Sequence, residues 1–170
     1  VTRIYSHAQS LAQCHEWLNR NLPQAARVPV ASNAEAARLA ENISAGTVVI
    51  GWSMGGMLAL KLVELASEKI KALVLVSTTP KFLRSADFPQ GLAPALLKKL
   101  TRRIAQEGTG VFHDLVFKSS SAVGAKHLPL ERVNGELHEL SRSDLRAGLS
   151  RINVPTLIMQ GDKDEICLPA

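Results

Sequence analysis

Cysteine and aromatic residues are scarce in this chain. Its 170 residues hold two cysteines, Cys14 and Cys167, too few and too far apart for a disulfide framework or a zinc site. They read as incidental thiols of a reducing compartment. Aromatics make up 4% of the chain and do not interleave its basic cluster, which argues against a nucleic-acid surface built on base stacking. No apolar run approaches the length of a membrane span. The opening stretch, Val1 to Ser10, has too short an apolar segment for a secretory leader and no small-residue cleavage site. These absences predict a cytoplasmic protein with no membrane or nucleic-acid partner, no metal and no cofactor. What is present, 46% hydrophobic and 21% charged residues, is the composition of an ordinary globular domain able to bury a core.

The net charge of +5 is unevenly placed. Between Pro80 and Asn153 there are twelve Lys and Arg against seven Asp and Glu, and outside that stretch eight of each. The whole excess therefore lies in the middle of the chain, densest at Lys98, Lys99, Arg102 and Arg103. Clustered positive charge raises the encounter rate with an acidic partner; a solvated helix face is the plainer alternative.

Hydrophobic patterning predicts an α/β protein with a mostly parallel sheet. Thr47 to Gly51 and Ala72 to Val76 are short, β-branched apolar runs of the kind that form buried parallel strands. Val154 to Met159 reads as a third such strand. Met54 to Ala66 joins the first two as a helix, completing a βαβ unit. Upstream, Ser10 to Leu22 and Ser32 to Ile43 read as helices, and Val1 to Tyr5 and Arg27 to Ala31 as strands. Residues 81–150 differ: Leu92, Leu96, Leu97, Leu100 and Ile104 recur at helical spacing, broken by Gly108, Gly110, Gly124 and Gly135. The expected organisation is a core of residues 1–80 and 151–170 with an inserted helical lid at 81–150.

Gly51-Trp-Ser-Met-Gly55 fits the pattern G-x-S-x-G, and its context is what the pattern's chemistry demands. A serine hydroxyl attacks an ester only if it projects from the scaffold while an amide N–H waits for the oxyanion. A sharp turn from strand to helix does both. It strains the backbone at Ser53, and Gly51 and Gly55 are expected to prevent clashes across the turn. The N–H of Met54 then points at the developing negative charge, where the helix dipole also helps.

A serine nucleophile needs a base, normally histidine, and a carboxylate that orients it. Gly161-Asp-Lys-Asp164 places carboxylates just past the third strand, where ligand sites of parallel sheets form. Asp164 is the favoured acid and Asp162 the alternative. In this chain order the histidine follows the acid, and none lies between Asp164 and Ala170. His7 and His15 precede the turn, and His113, His127 and His138 fall in the lid; all five read as exposed or structural. The expectation is a fragment lacking the C-terminal histidine segment.

Several stretches carry a family resemblance: Gly51-Trp-Ser-Met-Gly-Gly56, Val74-Leu-Val-Ser-Thr-Thr-Pro80, Asp87-Phe-Pro-Gln-Gly-Leu92, Asp144-Leu-Arg146 and Ile152 through Asp164. Together they resemble the α/β-hydrolase superfamily, and within it the pimeloyl-acyl-carrier-protein methyl ester esterases of biotin synthesis. The resemblance covers roughly residues 45–170. It implies an α/β-hydrolase fold and a carboxylic ester hydrolase in which Ser53 is the nucleophile, Asp164 the triad acid and the Met54 N–H half of the oxyanion hole. It further implies a basic cap at Lys98, Lys99, Arg102 and Arg103 that holds an acidic acyl carrier protein. Trp52, Phe112, Leu115 and Phe117 are expected to contact the acyl ester. Two family features are missing, a His-Gly-Trp-Gly loop near the N-terminus and the Asp-Leu-Pro-Gly-x-Gly stretch after the next strand. A general small-ester esterase or lactonase and a catalytically silent binding protein are the competing readings.

Overall fold

The structure, a computed structural model, describes residues 3–7, 15–30, 43–111, 115 and 129–169. It divides into two compact units, Val1–Thr78 with Leu145–Gln160, and Thr79–Asp144 with Gly161–Ala170.

The first unit opens with strand β1 (Arg3–His7), helix α1 (His15–Asn21) and strand β2 (Ala26–Val30). β1 and β2 pair in parallel, Arg3 opposite Ala26 through His7 opposite Val30. Pro29 sits opposite Ser6 in this two-stranded sheet, a position proline tolerates because it has no ladder N–H to give. α1 buries Leu18, and Arg27 reaches back to it, donating to the Asn19 carboxamide oxygen at 2.8 Å. The helix expected at 32–43 lies almost entirely outside the described residues.

A second sheet follows, built from β3 (Thr47–Trp52), β4 (Ile70–Val76) and β5 (Thr156–Met159) in the order β3-β4-β5, all parallel. Helix α2 (Met54–Ala66) crosses from β3 to β4. Its buried positions, Gly56, Met57, Ala59, Leu60 and Val63, fall at the spacing of one helical stripe. That stripe packs on the central strand, whose Ile70, Leu73 and Leu75 complete the core, with Leu73 fully buried. At the other end of α2, Glu64 is bonded by Arg151 and Lys61. Arg151 beside it is the main reason, and Lys61 the second, that its carboxyl titrates below the usual value. This ties the helix to the 3-10 turn Arg146–Arg151 that leads into β5.

Two expectations need correction. β5 is not a buried strand: Leu157, Ile158 and Met159 are 56%, 67% and 51% exposed. Among the described residues it has a partner on one side only, β4, and an edge strand with apolar side chains is left open. Nor does Gly135 break a helix. Helix α4 (Leu130–Arg142) runs through it, at the usual penalty for an interior glycine of about 1 kcal/mol.

The second unit holds helix α3 (Pro94–Glu107) and α4. Leu97 and Ile104 of α3 meet Val133 and Leu137 of α4 over Phe82. α3 starts with proline at its first position and ends at Gly108, whose positive φ of 91° suits glycine and takes the chain out of the helix. Lys81, at one end of this unit's long segment, bonds Asp87 at 3.4 Å and Asp144 at 3.2 Å, the latter at the segment's other end. The largely buried ammonium thus closes the base of the helical region. The buried Cys167 lies in the same unit. No helix of the described residues is long and apolar enough to cross a membrane.

The packing makes a direct prediction. Leu73→Ala removes the fully buried centre of the first core and should lower unfolding free energy by about 3 kcal/mol. Leu65→Ala on the exposed face of α2 should change it by less than about 0.5 kcal/mol. Urea denaturation of the two variants checks both.

Candidate active site

The sequence from Gly51 to Gly56 folds into a turn tight enough to exclude side chains at two points. β3 ends at Trp52, and α2 begins at Met54, leaving Ser53 alone to reverse the chain. Its φ of 52° and ψ of −124° lie in a region that L-residues other than glycine rarely adopt. Such a conformation costs roughly 1–3 kcal/mol and persists only where the surroundings over-determine it. Here they do. The Ser53 N–H donates to the Val76 carbonyl at 2.9 Å, and the Ser53 carbonyl accepts from the Gly56 N–H at 2.9 Å and the Thr78 hydroxyl at 2.6 Å. The residue is half-buried, and its side chain makes no capping bond to α2. The hydroxyl is therefore not committed to stabilising the helix whose start it occupies.

The glycine expectation holds at one flank and fails at the other. A Cβ on Gly51 would fall 2.5 Å from the Gly56 Cα and 2.8 Å from the Ala59 Cβ, so side chains are excluded there. At Gly55 a Cβ would meet nothing within 4 Å. The second close approach belongs to Gly56 instead, where a Cβ would crowd the side chain of Thr78 at 2.4–2.7 Å. The sequence motif names Gly55; the packing requires Gly56. The doubled glycine was the available signal, and Thr78 carried none beyond its place in the Ser-Thr-Thr-Pro segment.

Met54 is the first residue of α2. Its N–H is among the four with no intrahelical acceptor and lies at the positive end of the helix dipole. Trp52, at the end of β3, is half-buried. These residues share the first unit.

Asp164 belongs to the second unit. Its Oδ1 accepts from the backbone N–H groups of Ile166 and Cys167, each at 2.9 Å. Two such bonds fix the direction of the carboxylate. Asp162 is exposed, whereas Asp164 is half-buried. Of the histidines, His15 and His138 are exposed on helices, each beside a partner four residues away, Asn19 and Arg142. His7 is in β1; His113 and His127 lie outside the described residues, as do Phe112 and Phe117. Leu115 is 45% exposed.

The basic residues of α3 are not equivalent. Lys98 and Arg102 are exposed and, with Pro94, Leu97, Thr101 and Ala105, line one shallow groove along the helix. Lys99 is exposed as well. Arg103 is engaged by Glu107 in a two-point pair at 2.9 Å for each bond, and that guanidinium holds the Glu107 carboxyl below its ordinary pKa.

Solved structures place this architecture. The chain matches a lipase-esterase related protein from Clostridium acetobutylicum with a TM-score of 0.69 at 14% identity, covering 98% of this chain and 76% of that one. An esterase from Exiguobacterium antarcticum matches with a TM-score of 0.64 at 20% identity, over 99% of this chain and 76% of that one. The fold is that of the α/β-hydrolases. The expected family resemblance is also found: a pimeloyl-acyl-carrier-protein methyl ester esterase of Nitrosomonas europaea is 30% identical over 144 residues. The match takes in 75% of this chain, which spans 57% of that esterase's length.

The α/β-hydrolase resemblance is not the whole of the sequence. The prephenate dehydratase family model matches residues 1–72. A bifunctional chorismate mutase/prephenate dehydratase of Neisseria gonorrhoeae is 56% identical over 48 residues, 28% of this chain and 13% of that protein. Composition and periodicity gave no hint of this. The available signal was negative: the hydrolase resemblance fades toward the N-terminus, where the His-Gly-Trp-Gly loop is missing.

The two adjacent glycines provide a paired test. Gly55→Ala fits open space on a helix and should leave unfolding free energy unchanged or raise it by up to about 1 kcal/mol. Gly56→Ala must displace Thr78 and should lower it by roughly 2 kcal/mol, both read by thermal unfolding.

Proposed function

We propose that this protein is a carboxylic ester hydrolase with Ser53 as its nucleophile. The single observation that carries the reading is the strained turn, which holds a serine hydroxyl at the end of parallel strand β3 beside a helix N-terminus. The Ser53 oxygen gives its proton to a base and attacks the ester carbonyl, whose oxygen becomes an oxyanion facing the Met54 N–H. Collapse expels the alcohol with a proton, and water then releases the acid from the acyl-serine. Asp164, its carboxylate fixed by two backbone N–H groups, is the residue that orients the base. In this chemistry the base is a histidine that follows the acid in the chain.

The substrate proposed is a methyl ester of a pimeloyl-type acyl chain borne by an acyl carrier protein. The name of the Nitrosomonas europaea relative supports it, and so does the confinement of the positive excess to residues 80–153. Lys98 and Arg102 along the α3 groove, with Lys99 beside them, form the surface that attracts the acidic carrier. Arg103 contributes least, because Glu107 already neutralises it. Trp52, Phe112, Leu115 and Phe117 receive the acyl chain. In this reading the core is residues 1–80 and 151–170 and the lid residues 81–150. A second reading, action on prephenate, is favoured by the match over residues 1–72. It is the weaker because the curated dehydratase is matched over 13% of its length.

A fluorophosphonate probe tests the nucleophile. The wild-type protein should carry the probe on the peptide containing Ser53, and Ser53→Ala should not; an unlabelled wild type overturns the reading. The double variant Lys98→Glu/Arg102→Glu tests the carrier surface. Turnover of the carrier-bound ester should fall about tenfold at low salt while a free methyl ester is hydrolysed at the wild-type rate.

A further inference from the structure

We propose that Thr78 is a positioning residue of the nucleophile turn, aiming the Met54 N–H at the oxyanion; the inference rests on Ser53 being the nucleophile. One peptide plane links the two residues. The hydroxyl of Thr78 donates to the Ser53 carbonyl at 2.6 Å. That carbonyl and the Met54 N–H belong to the same peptide unit, which is planar and trans, with C=O and N–H pointing in opposite directions. Fixing the direction of the carbonyl therefore fixes the direction of the donor. Hydrogen bonding at the oxygen also polarises the unit and strengthens the N–H as a donor.

The loop that carries Thr78 is built to hold it there. Ser77 has a φ of 44°, the other non-glycine residue in the left-handed region among those described. This bends the chain leaving β4 back toward the turn. The Ser77 N–H donates to the Met159 carbonyl of β5 at 2.9 Å, while the carbonyl of Val76 receives the Ser53 N–H at 2.9 Å. Three successive residues, Val76, Ser77 and Thr78, thus bind the ends of β3 and β5 to one loop. The methyl and hydroxyl of Thr78 also occupy the space that glycine leaves open at position 56, so the side chain is held on both sides. The Gly56 N–H shares the Ser53 carbonyl at 2.9 Å, but it belongs to α2 itself and moves with the helix. The Ser53 N–H bond to Val76 fixes the peptide plane before Ser53; the Thr78 hydroxyl fixes the plane after it, the one that carries the Met54 N–H, against the loop that leaves β4.

An oxyanion donor acts in the transition state and not on bound substrate, so its misalignment appears in kcat and leaves KM alone. Thr78→Val keeps the shape and removes the hydroxyl; Thr78→Ser keeps the hydroxyl and removes a methyl. With a p-nitrophenyl ester of a short acyl chain, Thr78→Val should lower kcat about tenfold at unchanged KM, and Thr78→Ser should stay within about twofold of wild type. Equal kcat in wild type and Thr78→Val overturns the proposal. So does an equal loss in both variants, which would assign the effect to packing. Should Thr78→Val fail to fold, Thr78→Ser still decides, because a large fall in its kcat contradicts a role for the hydroxyl. Fluorophosphonate labelling of the wild type at Ser53 is measured alongside. Its absence refutes the nucleophile reading, whereas labelled wild type with an unaffected Thr78→Val refutes only the role of Thr78.

Discussion

The close approach of helix α2 to strand β3 is the constraint on which the site depends. A helix that starts one residue after a strand ends must pass its first turn within touching distance of the strand it has left. A side chain at Gly51 would prevent that and one at Gly56 would crowd Thr78, and Ser53 must take a conformation that costs roughly 1–3 kcal/mol. Three hydrogen bonds to Ser53 and the burial of Ala59, Leu60 and Val63 against β4 offset it. A buried aliphatic side chain is worth about 1.5–3 kcal/mol, so the stripe on α2 outweighs the strain. The strained serine is stable because the helix behind it is well packed.

The two units are stabilised differently. The first rests on an aliphatic core between α2 and β4, with ionic contacts confined to the far end of the helix at Glu64. The second combines a small helical core with an ammonium, Lys81, shared between carboxylates from the two ends of its long segment. Helix α3 carries a local excess of positive charge, Lys98, Lys99, Arg102 and Arg103 against Glu107. Pairing within α3 sorts that excess, since a cation already matched by a carboxylate, as Arg103 is, has less field to offer a partner than Lys98 or Arg102.

The two kinds of enzyme that this chain matches are matched in sequence, and the shared packing of its strand–helix–strand units does not account for that. A parallel strand, a helix and a second parallel strand are a generic solution to burying apolar surface. β1, α1 and β2 satisfy it, and so do β3, α2 and β4. Such units say little about chemistry, which resides in the residues at the strand ends. The dehydratase-like match over residues 1–72 and the strained turn at Ser53 overlap in sequence.

The sequence by itself determined the local features. The apolar runs of β3 and β4, the helix at 54–66 and the sharp strand-to-helix turn at Ser53 were legible because neighbours in the chain dictate them. The end of α3 at Gly108 was legible for the same reason. What depended on distant residues was not. Gly55 and Gly56 look alike in the sequence, and only Thr78, more than twenty residues on, decides which of them must lack a side chain. Val154 to Met159 has the composition of a buried strand, yet burial is a property of what lies beside it, and among the described residues β5 is paired on one side only. Gly135 looks like a helix breaker, but tertiary packing through Val133 and Leu137 outweighs its weak preference. Propensity and motif are short-range; register, close approach and exposure are set by contacts across the fold, and those only the tertiary structure supplied.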